Sequence, residues 1–202
     1  EATEKLNKAM QNVGYYEKIE GLALKEKNAT SLEISWDKVS NASGYKVYKY
    51  NTTTKKYALL ATIHNNKKNS YKDSKLISAT NYYYKVAAYK EVGGKDYIGP
   101  TKSLKATTKP LQPVVKLSST SKGKVKLTYT TKVSKKTDGY KIYMSTSKNG
   151  VYKLIKDTNK TTYTKTGLKS KKGYYFKVKA YRVVDGKNIY SSYSIAKYIK
   201  VK

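Results

Sequence analysis

The stretch NYYYKVAAY at residues 81–89 sets three tyrosines in a row, and GYYFKVKAY at residues 173–181 repeats it almost letter for letter. Its residues fall into two alternating sets. Tyr82, Tyr84, Val86 and Ala88 form one, and Tyr83, Lys85, Ala87 and Tyr89 form the other. A period of two belongs to a strand, whose successive side chains point to opposite faces. The apolar set is expected inward and the tyrosine–lysine set outward. Two copies of one strand in one chain point to two copies of one fold.

The repeat extends in both directions. LISATNYYYKVAAY at 76–89 aligns with LKSKKGYYFKVKAY at 168–181, an offset of 92, and GYKVY at 44–48 aligns with GYKIY at 139–143, an offset of 95. The three-residue difference falls between them, where ATIHNNKKNSY in the first copy is longer than KDTNKTTY in the second, as surface loops allow. LEISW at 32–36 answers VKLTY at 125–129. A period near 92 residues is a complete small domain rather than a solenoid repeat.

Every repeated block alternates. Leu32, Ile34 and Trp36 share a face, as do Tyr45 and Val47; their counterparts are Val125, Leu127 and Tyr129, then Tyr140 and Ile142. Turn signals separate the blocks at Asn41–Gly44, Gly93-Gly94, Asn149-Gly150 and Asp185-Gly186. Short strands with turns every 8–12 residues predict an all-β chain of two tandem antiparallel sandwiches. The boundaries expected are a linker or tail of a preceding domain over 1–20, a first domain over 21–108 and a second over 109–202. TTKPLQP at 107–113 joins the two. Within the first segment, Leu6, Met10 and Val13 stand at helical spacing.

A tryptophan in the second strand is followed by G-Y-x-V-Y, and then by a leucine six residues before Tyr-x-Tyr-x-Val-x-Ala. This order resembles the fibronectin type III domain, an immunoglobulin-like Greek-key sandwich. Leu76 with Tyr82, and Leu168 with Tyr174, match that family's leucine and corner tyrosine. The resemblance covers nearly the whole chain and implies seven strands per domain, in sheets of three and four. The second copy departs by placing Tyr129 where the tryptophan belongs. Neither KEVGGKDY at 90–97 nor RVVDGKNIY at 182–190 carries the Arg-Gly-Asp found in the corresponding loop of one fibronectin domain, so integrin recognition does not carry over.

Composition narrows the chemistry. The chain has no cysteine, which excludes disulfides and thiolate sites without excluding an oxidising compartment. Its one histidine, His64, lies in a polar loop and is expected to be solvated. Any Ser-His-Asp triad would require His64, and no Gly-x-Ser-x-Gly elbow, phosphate-binding glycine loop, His-Glu-x-x-His motif or acidic calcium loop is present. Asp37, Asp73 and Asp96 are the carboxylates formally available for hydrolysis, and all three read better as turn and loop hydrogen-bonding groups. The expectation is a non-catalytic segment with no cofactor and no metal.

Forty-three basic residues against 13 acidic ones give a net charge of +30, and every basic residue except Arg182 is a lysine. Lysine is a hydrated point charge, suited to diffuse attraction to polyanions rather than to bidentate reading of bases, so no specific nucleic-acid partner is expected. The charge is uneven. Residues 1–108 carry 19 basic and 10 acidic groups, a net +9, whereas residues 109–202 carry 24 and 3, a net +21.

These observations converge on one face. In the first copy Tyr83, Lys85 and Tyr89 are expected outward beside Lys46, Tyr48 and Tyr50. In the second copy Lys141 and Tyr143 are expected beside Tyr175, Lys177, Lys179 and Tyr181, with Lys169, Lys171 and Lys172 in the neighbouring loop. Such a face fits a polyanion or glycan ligand, and equally a plain cross-strand ladder. No run approaches the ~20 apolar residues of a membrane-spanning helix. The lysine-, asparagine- and tyrosine-rich composition resembles that of Gram-positive, clostridia-like secreted and surface proteins. That resemblance implies an extracellular, monomeric spacer and interaction module. Its partners would be other domains of the same protein and an anionic cell-wall polymer, a glycan or a protein. Two rival expectations are an accessory region of a secreted carbohydrate-active or wall-degrading enzyme and an adhesin segment binding host glycosaminoglycan or matrix.

Overall fold

The alternating blocks become strands with the expected faces inward. The structure, a computed structural model, describes Lys5, residues 18–131 and residues 136–202. Apart from Lys5, the helix expected within residues 1–13 lies outside the described residues. The chain divides into two compact units, residues 1–76 with 81–108 and residues 77–80 with 109–202.

The first unit contains β1 (Ala23–Lys27), β2 (Ser31–Ser35), β3 (Gly44–Asn51), β4 (Lys56–Ile63), β5 (Ser70–Ser74), β6 (Asn81–Val92), β7 (Lys95–Ile98) and β8 (Lys102–Thr107). One sheet has the order β1-β2-β5; the other runs β4-β3-β6-β7, with β8 also on β6, and every pairing is antiparallel. The second unit repeats this with β9 (Val114–Ser118), β10 (Val125–Thr130), β11 (Gly139–Ser145), β12 (Lys153–Thr158), β13 (Thr162–Lys165), β14 (Gly173–Val184), β15 (Lys187–Tyr190) and β16 (Lys197–Lys200). Its sheets are β13-β10-β9 and β12-β11-β14-β15, with β16 on β14.

The seven strands expected per domain thus appear as eight segments, because the last strand is broken in each unit. In the first, Gly99 donates its N–H to Ala88 O and Pro100 follows, with no N–H to continue the ladder. In the second, the buried Ser191 and Ser194 span the break. Their N–H groups reach Ala180 O and Val178 O, while their hydroxyls accept the N–H of Ala180 and Val178 at 2.9 Å. The interruption therefore leaves the N–H and carbonyl groups of both Val178 and Ala180 paired.

Each unit has its own apolar core. The first gathers Leu32, Ile34, Trp36, Tyr45, Val47, Tyr84 and Val86; the second gathers Val125, Leu127, Tyr129, Tyr140, Ile142, Phe176 and Val178. Trp36 meets Tyr45 edge-on at 5.2 Å, and Tyr129 takes the tryptophan's place at 4.9 Å from Tyr140. Tyr174 closes the corner of the second unit, its hydroxyl oxygen accepting the N–H of Lys169 at 3.2 Å. Among the described residues no helix is long and apolar enough to cross a membrane.

Candidate functional site

On the first unit's larger sheet, register alone fixes which residues share the outer face. Tyr48 lies opposite Lys85 and Leu59, and Lys46 opposite Ala87 and Thr62. Tyr50 meets Tyr57 at 5.2 Å and Tyr83 at 6.2 Å, both edge-on, and the Lys85 ammonium sits 4.4 Å from the Tyr57 centroid. Tyr83 and Lys85 are therefore on the face, as expected.

Tyr89 is not available there. It is only 2% exposed, and Ala87 beside it is fully buried. The pleat does point Tyr89 outward, but Gly44 stands directly across the ladder and leaves a slot that the ring fills. The Tyr89 hydroxyl bonds to His64 Nδ1 at 2.9 Å, and the Lys46 ammonium lies 5.1 Å from the ring centroid. Lys46 is itself held by Asp96 at 2.8 Å, which raises its pKa above the ordinary lysine value. His64, expected to be merely solvated, is exposed but partnered.

The second unit carries a denser version of this face. Lys141 lies opposite Lys179 and Asp157, Tyr143 opposite Lys177 and Leu154, Tyr175 opposite Tyr198, and Tyr181 opposite Tyr190. Ring pairs bind it together: Tyr143–Tyr193 at 5.2 Å, Tyr175–Tyr198 at 5.0 Å and Tyr181–Tyr190 at 5.9 Å. The Lys177 ammonium is 4.1 Å from the Tyr152 centroid, and that of Lys179 is 4.1 Å from the Tyr193 centroid. Lys141 is raised by the Tyr190 hydroxyl first and Asp157 after it, and the same contact lowers Tyr190. Tyr181 donates to Asp157 at 3.0 Å. Tyr152, Tyr190, Tyr193 and Tyr198 were not foreseen. Tyr152 and Tyr193 come from loops, and Tyr190 and Tyr198 from the two halves of the broken strand.

This packing limits what the face can do. The ring pairs are tilted by 49° to 81°, so they offer no flat platform, and ammonium groups already cover several ring faces. Such cation–π contacts are worth ~0.5–1 kcal/mol each where exposed. The arrangement works as a self-capped ladder.

The loop lysines do not join it. Lys169, Lys171 and Lys172 are exposed at the corner before β14. Lys172 and Lys177 are separated by five extended residues, roughly 17 Å of strand. The predicted site therefore splits into a tyrosine-clad sheet face and a lysine-rich corner.

Two of the three carboxylates have structural roles. Asp73 is buried on β5, accepting the Tyr84 hydroxyl at 2.7 Å and lying 2.8 Å from Lys49 Nζ. Asp96 holds Lys46, and the Asp37 N–H donates to Glu20 O. Among the described residues no group of three His, Cys, Asp or Glu side chains is placed to hold a metal ion. A recess of about 140 Å³ beside Ile19, Glu20 and Pro100 contains none of the candidate residues and is small for a ligand site.

Comparison with known proteins agrees with the geometry. Residues 17–103 match the family model of the fibronectin type III domain. An 89-residue stretch is 37% identical to part of a poly(3-hydroxybutyrate) depolymerase from Ralstonia pickettii, a match covering 44% of this chain and 16% of that enzyme. A two-domain fibronectin type III segment of chicken tenascin superposes with a TM-score of 0.56 over 91% of this chain and 99% of its own length, at 16% identity. At that identity the likeness speaks for the fold alone. The chain is thus a non-catalytic, all-β segment of two tandem fibronectin type III-like sandwiches, with the match to the family itself lying on the first.

Proposed function

We propose that this chain is a spacer and accessory interaction module of a longer secreted bacterial protein that acts on an extracellular polymer. The observation that carries this is the domain-sized match to a fraction of a polymer depolymerase. A domain that makes up a small fraction of a longer enzyme can hold other parts at a distance and contact their surroundings without itself supplying the chemistry. The self-capped sheet faces support the spacer element, since their tyrosines and lysines satisfy one another and keep the surface stiff and soluble. An origin in a Gram-positive surface or secreted protein is consistent with the composition, and a monomer with the net charge of +30.

The test is deletion of residues 21–202 from the longer protein, with activity read on insoluble polymer and on a short soluble substrate. A spacer and accessory module predicts loss on the insoluble substrate alone. An unrelated pair of β-sandwiches of equal length should restore the share that comes from spacing. Equal loss on both substrates, or none on either, overturns the reading.

A further inference from the structure

Three segments distant in sequence meet at one end of the second unit: the β9–β10 turn, the corner before β14 and the end of β16. Backbone hydrogen bonds stitch them together. Leu168 N–H donates to Gly123 O and Gly123 N–H to Lys202 O, both at 3.1 Å. Lys171 N–H donates to Val201 O at 2.8 Å, and Val201 N–H to Lys172 O at 3.0 Å. Ser119 fastens the join, its hydroxyl accepting Lys202 N–H at 3.0 Å and donating to Lys124 O at 2.8 Å. Gly123 and Lys171 both adopt left-handed backbone, at φ 69° and 63°, to make these turns. The main-chain groups named here are spent on one another, leaving the side chains to face solvent.

Those side chains are lysines. Lys122 and Lys124 come from the turn, Lys169, Lys171 and Lys172 from the corner and Lys200 from β16, and all six are exposed. None forms an ion pair among the described residues. The acids of residues 109–202 are only Asp138, Asp157 and Asp185. Asp138 precedes β11 and binds across to Tyr181 O and Val183 N, Asp157 binds Tyr181, and Asp185 sits in the β14–β15 turn. All three therefore cluster around the far half of β14. Tyr181 and Lys172 are nine extended residues apart, roughly 30 Å. The unit is polarised along its length, with a cationic end that has no acidic side chain of its own.

We propose that this end docks a linear, phosphate-bearing polyanion without nucleobases, which deepens the reading of the chain as an interaction module. Lysines on flexible stems act on phosphate as point charges, without the planar fork that bidentate recognition uses. Their spread over three loops suits a chain of successive charges rather than one small anion. The loop sequences SSTSKGK and KSKK contain no aromatic residue, and the exposed Tyr198 of β16, which lies beside Gly173, pairs with Tyr175 at 5.0 Å rather than standing free for a nucleobase.

Inorganic polyphosphate of long chain length is the probe, titrated into the whole chain at several salt concentrations. Two charge-matched variants separate a site from bulk attraction: K169Q/K172Q at this end, and K160Q/K187Q on turns away from it. The end variant should bind about tenfold more weakly. It should also flatten the slope of log affinity against log salt by roughly 0.7 per lost contact. The K160Q/K187Q variant should change affinity less than about twofold. Equal weakening of both variants, no weakening of either, or a salt-independent affinity overturns the proposal. Tighter binding of single-stranded DNA of equal charge than of polyphosphate also overturns it, in favour of nucleic acid. None of these outcomes depends on the longer protein, so the docking end and the accessory reading can fail separately.

Discussion

The two units solve one packing problem in opposite ways. In the first, Lys49, Asp73 and Tyr84 form a polar triad at the edge of the core, with the Asp73 carboxylate as its centre. The repeat places Met144, Lys165 and Phe176 at the same positions. Met144 pairs with Phe176 as Lys49 does with Tyr84, and Lys165 faces Val125 as Asp73 faces Leu32. With the acid gone, a buried hydroxyl would lack its acceptor and a half-buried ammonium its counter-ion. Phenylalanine and methionine remove both demands at nearly constant volume. The scarcity of acids in the second unit is therefore not only a surface property; it reaches into the core.

Glycine offers the sharpest contrast between the units and the largest expected effect. Gly44 and Gly139 hold equivalent places, each opposite a tyrosine. A Cβ on Gly44 would meet Ile63 O, a backbone atom, whereas one on Gly139 would meet chiefly the Tyr181 ring. Backbone cannot swing aside and a ring can. Gly44→Ala should cost about 3 kcal/mol or more and Gly139→Ala about 1 kcal/mol. Trp36 is the chain's only tryptophan, so its fluorescence follows urea unfolding of the first unit, with circular dichroism for the second. Equal costs would mean that both slots yield alike.

The triad comes next. Asp73→Ala strands the buried Tyr84 hydroxyl and leaves Lys49 without its carboxylate, for a loss of about 2–3 kcal/mol and a fall of roughly 1–2 M in the urea midpoint. Installing the second unit's solution, K49M/D73K/Y84F, should recover more than half of that loss. A triple variant no better than the single one would show that the two arrangements are not interchangeable. The triad also raises Tyr84 far above an ordinary tyrosine, through burial first and Asp73 second.

Strand phase was written in the sequence because it depends only on the alternation of neighbours along the chain. Leu32, Ile34 and Trp36 face the core for the reason their spacing predicted, and the match to residues 125–129 made the second unit readable from the first. Burial of outward residues was not readable this way. Tyr89 is covered by Lys46 of β3 and by His64 beyond β4, and a period of two does not register what lies across the sheet. One signal was available: in both copies a glycine pairs with that tyrosine, Gly44 with Tyr89 and Gly139 with Tyr181. A tyrosine laid over a cross-strand glycine shields the bare backbone. Of the lysine-rich end only Lys169, Lys171 and Lys172 were foreseen, because Lys122, Lys124 and Lys200 approach the corner only through long-range backbone bonds.

Tyr129 tests the core of the second unit with a smaller change of opposite sign. Its hydroxyl is buried and finds no partner among the described residues, and burial pushes its pKa up to about 12 from 10.0. Tyr129→Phe should stabilise the unit by about 1 kcal/mol at neutral pH. The pH dependence follows from the sign of the shift. Below pH 10 the hydroxyl is neutral in both states and costs nothing by ionisation. Between pH 10 and 12 the unfolded chain ionises first, so the wild type loses up to about 2–3 kcal/mol that the phenylalanine variant keeps. The advantage of Tyr129→Phe must therefore widen above pH 10. A constant gap would mean that the hydroxyl is hydrated in the folded state.

The smallest effect concerns the sheet-face lysines that the sequence marks as candidate ligand contacts. Lys179 lies over Tyr193 at 4.1 Å, and the first unit offers Lys85 over Tyr57 at 4.4 Å. If the sheet faces are self-capped ladders, a double-mutant cycle of K179A with Y193A should return about 0.5 kcal/mol of coupling, and K85A with Y57A a similar value. A hydrogen-bonding role for the ring would lose its coupling with Tyr193→Phe, whereas a cation over the ring face keeps it. The salt response separates the two parts of the original candidate site. A cation–π contact between neighbours changes little with ionic strength, while attraction of a polyanion to Lys169 and Lys172 falls steeply. Coupling near zero in the second unit alone would return Lys177 and Lys179 to the pool of uncompensated charge. The cationic surface would then extend from the corner along β14, and the two units would differ in what their sheet faces do as well as in what their cores contain.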